Sequence, residues 1–193
     1  MFGSFIADPG ERGRRYPPVD EGGFASNPDT RYLINAVSLR FGRVITISAR
    51  MPRVPPTFPA SPRLAPFDLR YWSVCTGSAP TSGLGYDCVF DQQVPLRTGR
   101  RYTIVVSRPT DRPRNARRAC GYEWLNFGRG ERHPDGSGRP DLSFFYMRFM
   151  APNPRWAQAP QRVTSPGQEA AVMGPYFPRS AYTSKAAFER RGC

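Results

Sequence analysis

Leu142-Ser143-Phe144-Phe145-Tyr146-Met147-Arg148-Phe149-Met150 is the stretch whose reading decides the fold. It is apolar at both odd and even positions, as a central strand covered on two faces would be. Working outward, Arg101–Ser107 is a second strong strand, with Tyr102, Ile104 and Val106 on one face by the two-residue period. Leu69–Cys75, Tyr86–Phe90 and Tyr122–Phe127 read as further aromatic-rich strands. Upstream, Tyr32, Ile34, Ala36 and Ser38 alternate with Leu33, Asn35, Val37 and Leu39, and Phe41-Gly42 turns the chain into Val44–Ser48, which predicts a hairpin. Helix is scarce: one turn is expected near Pro154–Gln158 and one at Ser184–Glu189, with Ser184 as N-cap. Some seven strands and almost no helix predict an all-β fold, a two-sheet sandwich or jelly roll. Its core should draw on Leu33, Val44, Ile45, Tyr71, Trp72, Val74, Phe90, Ile104, Val106, Phe145 and Met147.

The 193 residues suffice for one domain, placed at 27–193, behind an extended N-terminal arm over 1–26 that shows no period. With 22 prolines and 18 glycines, about a fifth of the chain, a helical bundle is excluded. Six prolines fall within 51–67, which therefore reads as a surface loop of polyproline character. The arm and this loop are the expected contacts for a protein partner or for self-assembly. No apolar run approaches the ~20 residues of a membrane helix, so no transmembrane segment is expected.

The formal charge is +13, and Lys185 is the one lysine; every other basic residue except His133 is arginine, as a GC-rich genome would produce without selection for binding. Basic residues are densest from Arg97 to Arg118, where Arg112, Arg114 and Arg117 are the candidates for polyanion contact. Their dispersal along the chain predicts weak, salt-sensitive attraction and no dedicated nucleic-acid site.

Cys75, Cys88, Cys120 and Cys193 lack zinc-ligand spacing. Cys75 and Cys88 end strand-like runs separated by a Gly/Ser/Pro-rich connection, so a hairpin could bring them within bridging distance. Cys120 and Cys193 are a possible second pair. Bridges would point to an oxidising compartment, the cell exterior or envelope. Met1–Ala7 is too short for a signal-peptide apolar region and lacks a basic lead.

Catalytic chemistry has little to stand on. His133, in the turn-like Pro134-Asp135-Gly136 context, reads as a solvated turn residue, and no nucleophile elbow or phosphate-binding glycine loop is present. Asp87 and Asp91 could share a strand face, and Glu123 lies between Tyr122 and Trp124, a setting that would favour its neutral form if buried. Glu131, Asp135 and Asp141 fit no calcium loop and are opposed by Arg129, Arg132 and Arg139, so neither a metal nor a cofactor is expected. Among aromatics, Trp72 and Trp124 are expected in the core, whereas Trp156, beside Pro154 and Arg155, is expected at the surface as a binding platform.

The segments NPDTRYL (27–33), ARMPRVPPTFP (49–59), RYWSVC (70–75), DC (87–88), YTIVVSRPTDRP (102–113), WLNFG (124–128) and AAVMGPYFP (170–178) resemble a group of uncharacterised exported proteins of actinobacteria and related GC-rich bacteria. More distantly, the Trp-Ser strand end, the YTIVVS strand, the WL pair and the MR-containing strand are similar to the C-terminal all-β domain of a widespread bacterial domain-of-unknown-function family. The resemblance implies an all-β sandwich at the envelope or outside the cell, and carries no activity. The leading expectation is a non-catalytic binding, structural or accessory domain. Its rivals are a carboxylate-dependent enzyme acting on an envelope polymer and a polyanion or nucleic-acid binder using 97–118.

Overall fold

Nine strands form two sheets among residues 3–4, 29–56, 58, 66–78, 84–131, 135, 137–165 and 167–193, the part of the chain that the computed structural model describes. They are β1 (Gly3–Ser4), β2 (Thr30–Ser38), β3 (Val44–Arg50), β4 (Leu69–Gly77), β5 (Gly85–Phe90), β6 (Arg101–Ser107), β7 (Glu123–Asn126), β8 (Leu142–Pro152) and β9 (Arg179–Thr183). One sheet has the order β1-β2-β8-β4-β5 and the other β7-β6-β3-β9. The apolar run is indeed central: β8 pairs antiparallel with β2 and β4, so that Met147 lies between Leu33 and Val74. Phe145, Met147 and Phe149 of β8 join Ile45 and Ile47 of β3 and Tyr102, Ile104 and Val106 of β6 in one buried cluster. Alternate residues of facing sheets thus fill the space between them, which makes the fold an all-β sandwich.

The second sheet is covered on its outer side as well. Val44 and Val105 point away from the main cluster and are buried with Ala116, Cys120, Tyr122 and Phe188. Because β7 runs parallel to β6, the connection 108–122 must cross this face, and helix α2 (Lys185–Glu189) completes the cover. Ser184 caps α2, its Oγ accepting the Ala187 N–H at 3.1 Å. The Cys75–Cys88 bridge spans directly opposed residues of β4 and β5, and Cys120–Cys193 ties the end of the chain to the crossover.

Several expectations change. The segments around Phe41-Gly42 are not a hairpin, since β2 and β3 belong to different sheets and the turn arches between them. Alternation identifies a strand but not its neighbour; here β3 takes β6 and β9. Gly42 fits because a Cβ there would meet Thr183 backbone atoms at 3.1 Å. Tyr71 and Phe90 are only half-buried, being out of phase with the buried Trp72 and Val89 beside them. Pro154–Gln158 is a non-helical turn set by Asn153, whose carbonyl accepts from Trp156 N and whose Oδ1 accepts from Arg155 N. The helix of that region, α1 (Glu169–Met173), comes later. The 51–67 loop begins in the core, with Met51, Pro52 and Pro55 buried, while residues 57 and 59–65 lie outside the described residues, as does most of the 1–26 arm. Among the described residues no helix is long and apolar enough to cross a membrane.

Candidate functional site

The carboxylates expected as an acid/base pair are each occupied in holding backbone. Asp87 accepts from Asn126 N at 2.8 Å and from Cys88 N at 2.9 Å, joining the edges of the two sheets. Asp91 has left the strand for a 3-10 turn over Asp91–Gln93, so it does not share a strand face with Asp87. It is 8% exposed, and burial raises its carboxyl pKa above the ordinary value against the opposing hydrogen bond from Trp72 N at 3.0 Å. Glu123 does not sit in an apolar pocket between its aromatic neighbours; it pairs with Arg118 at 2.5 Å. Asp141 accepts from Ser38 Oγ at 2.7 Å; burial would raise its pKa, but that bond and the charges of Arg139 and Arg40 bring it below the usual range. Among the described residues no three His, Cys, Asp or Glu side chains gather as metal ligands. His133 lies outside the described residues.

The crowded arginines mostly serve the fold. Arg112 donates through Nε and Nη2 to the Ala116 carbonyl and lies 4.4 Å over the Trp124 ring. Trp124 is therefore half-buried, not core, with Nε1 donating to Ser107 Oγ. Arg114 pairs with Glu189 at 3.6 Å, and Arg117 contacts Cys120 Sγ at 3.3 Å. All three guanidinium-bearing residues are nonetheless exposed.

Trp156 is the other correction. It is 7% exposed and cannot be an open platform, because its ring packs edge-on against Tyr176, centroids 5.3 Å apart at 89°. It is instead the wall of a cleft of about 430 Å³. Antiparallel pairing explains why a cleft forms there. The end of β3 lies beside the start of β6, and the end of β8 beside the start of β4, so loops from both sheets converge on one end of the sandwich.

Hydrogen bonds lash these loops together. Arg53 N donates to Asp68 Oδ2 at 2.8 Å, Asp68 N to Arg53 O at 2.8 Å and Asn153 N to Asp68 O at 2.8 Å. The Arg53 guanidinium also grips Asp68 Oδ1, through Nε at 3.0 Å and Nη2 at 2.7 Å. Burial works against the Asp68 carboxylate, but these bonds and the charges of Arg53 and Arg100 bring its pKa below the ordinary value. Arg100 adopts φ 61° and ties Met51 and Pro52 carbonyls through its side chain. Ala151, two residues before Asn153, is the other described non-glycine residue at positive φ. Both strained positions thus adjoin the cleft, as strain often adjoins binding sites.

Four arginines, Arg50, Arg53, Arg100 and Arg155, line the cleft with a single carboxylate, Asp68. Asp68 is taken by Arg53, whereas Arg50, Arg100 and Arg155 have no carboxylate partner among the described residues. Such a concave, cation-rich, polar-lined site suits an anionic ligand. Period and composition could not reveal it, since its residues come from strand ends and loops spread over more than a hundred positions; only Trp156 and the 51–67 loop, which supplies Met51, Arg53 and Phe67, stand out in the sequence as candidate contacts.

No protein-family model matches the chain, and no curated protein matches it. A solved structure of an uncharacterised protein from Burkholderia cenocepacia is similar at 15% identity and a TM-score of 0.49, over 84% of this chain. The chain spans about a third of that protein, 32% of its length.

Proposed function

We propose that this chain is a non-catalytic binding domain of the cell exterior or envelope that holds an anionic ligand or partner in the arginine-lined cleft. The observation carrying this reading is the convergence of Arg50, Arg100 and Arg155, distant in sequence, around a site whose one carboxylate is already neutralised. Pairing of all four cysteines supports an oxidising compartment, as does the resemblance to exported actinobacterial-type proteins. Met51 and Arg53 open the proline-rich 51–67 loop and line the cleft, which supports a partner contact at the loop's start.

The test is binding of an anionic polysaccharide, duplex DNA and single-stranded DNA across a salt series. The wild type is compared with Arg50→Ala/Arg155→Ala and with Arg112→Ala/Arg114→Ala/Arg117→Ala. Loss of about tenfold in affinity on the cleft substitutions alone is expected, since each charge-assisted hydrogen bond is worth roughly that much. Submicromolar affinity for one nucleic acid that survives physiological salt and vanishes in the triple variant would instead make 97–118 the binding segment. The carboxylate-enzyme reading has no such support, given the backbone contacts that occupy Asp87 and Asp91.

A further inference from the structure

Building on the cleft as the binding site, we infer that its ligand is an acidic saccharide, a uronic-acid chain whose carboxylate meets Arg50 and Arg155 and whose hydroxyls meet Gln158. The Gln158 side chain lines the cleft, is half-buried and makes no hydrogen bond among the described residues. Its amide therefore offers a donor and an acceptor together, which is what a sugar hydroxyl requires. Guanidinium groups match the planar carboxylate in a two-point hydrogen bond. A space of about 430 Å³ is of the size that holds a small organic ligand rather than a bare ion.

Three other anion classes fit the walls less well. Free phosphate is usually cradled by backbone N–H groups, yet the N–H groups of Arg53, Asp68, Asn153 and Arg155 are all spent within the protein. A nucleotide base needs an open ring face, whereas Tyr176 carries Arg50 over its ring at 5.6 Å and the edge contact of Trp156. An acidic peptide binding in extended form would seek a free strand edge, and the cleft is walled by loops at strand ends.

The experiment is calorimetric titration of the full chain with trigalacturonate, maltotriose, pentaglutamate and inorganic phosphate at fixed ionic strength. Trigalacturonate should bind at least about tenfold more tightly than the other three, the discrimination expected from one well-formed charged contact. Gln158→Leu should weaken trigalacturonate and leave the weak phosphate binding unmoved, and thermal unfolding of this variant verifies that it folds. Pentaglutamate or phosphate binding as tightly as trigalacturonate, and weakened by Arg50→Ala/Arg155→Ala, overturns the saccharide assignment and leaves the cleft as an anion site. No binding of any probe that responds to Arg50→Ala/Arg155→Ala overturns both the assignment and the cleft as the binding site.

Discussion

The crossover 108–122 and the cleft are both rich in arginine, and they engage it to different degrees. In the crossover the arginines, though exposed, are held by contacts to the protein: Arg112 holds a carbonyl and covers Trp124, and Arg97, reaching in from 97, lies 4.5 Å over Tyr122 and donates to Cys120 O at 3.0 Å. In the cleft Arg53 is neutralised by Asp68, Arg100 holds the Met51 and Pro52 carbonyls and Arg50 lies over the Tyr176 ring, whereas the Arg155 side chain makes no hydrogen bond or ion pair among the described residues. Density along the sequence therefore marks where arginine builds structure, and convergence in space leaves two arginines, Arg50 and Arg155, without a hydrogen bond or ion pair among the described residues. Local crowding favours short-range contacts with carbonyls and rings, whereas arginines at the ends of separate strands are brought together by the fold and not by each other.

The largest test of that difference removes the crossover's covalent anchor. Cys120 and Cys193 close a loop at a sequence separation of 73, so replacing both with serine should cost ~4 kcal/mol in the chain-entropy account, against ~3 for the Cys75–Cys88 loop at a separation of 13. Burial of Phe188 depends on the same end of the chain. Denaturant unfolding under non-reducing conditions measures the loss. Equal stability of the double variant and wild type would mean that the crossover is held without its bridge.

A smaller loss is expected at the cleft floor. Asp68→Ala strips the acceptor from Arg53 N and from its guanidinium, and should cost about 1–3 kcal/mol at neutral pH. The sign with pH follows from the carboxyl's lowered pKa in the folded state. Its contribution is complete above the unfolded value of about 4 and fades as pH falls through the folded value. Wild type and Asp68→Ala should therefore converge in stability on acidification below about pH 4. A gap that stays constant down to acid unfolding would show that the carboxylate's charge is not what ties the loops.

How much of this was legible beforehand follows the range of the forces involved. Strand identity depends on local alternation, so β6, β8 and the core residues Trp72, Ile104 and Met147 could be read from the sequence. The cross-strand Cys75–Cys88 pair was legible for the same reason, both residues ending neighbouring runs. Neighbour choice is not local: nothing in Ala36–Ile47 distinguishes an arch from a hairpin, and β9, with its polar pattern, carries no core signal of its own. Trp156 stands out by its setting beside Pro154 and Arg155, but its burial depends on Tyr176, twenty positions later, which no local rule connects to it. The cleft's arginines were hidden in the same way, as Arg50 and Arg155 read as ordinary strand-end and turn residues.

Arg112 and Arg155 allow the comparison to be made one residue at a time. Arg112→Ala should lower stability by about 1 kcal/mol, from loss of the stacking on Trp124 and the bonds to Ala116 O, with no change in ligand affinity. A change in affinity with stability intact would transfer the binding role to the crossover.

Arg155→Ala carries the smallest expected effect on stability and the clearest message. The side chain is exposed, has no carboxylate partner among the described residues, and its backbone N–H keeps its bond to Asn153 Oδ1 whatever side chain follows. A surface substitution of this kind should move stability by no more than about 0.5 kcal/mol in either direction. Removing a positive charge beside Arg50, Arg53 and Arg100 also relieves repulsion within the cleft, so any shift should be toward greater stability and should shrink as salt is added. Paired thermal unfolding of wild type and Arg155→Ala at low and high salt checks this. A loss above about 1 kcal/mol would mean that Arg155 is a structural arginine like Arg112, and the contrast between the two regions would fail at its most exposed residue.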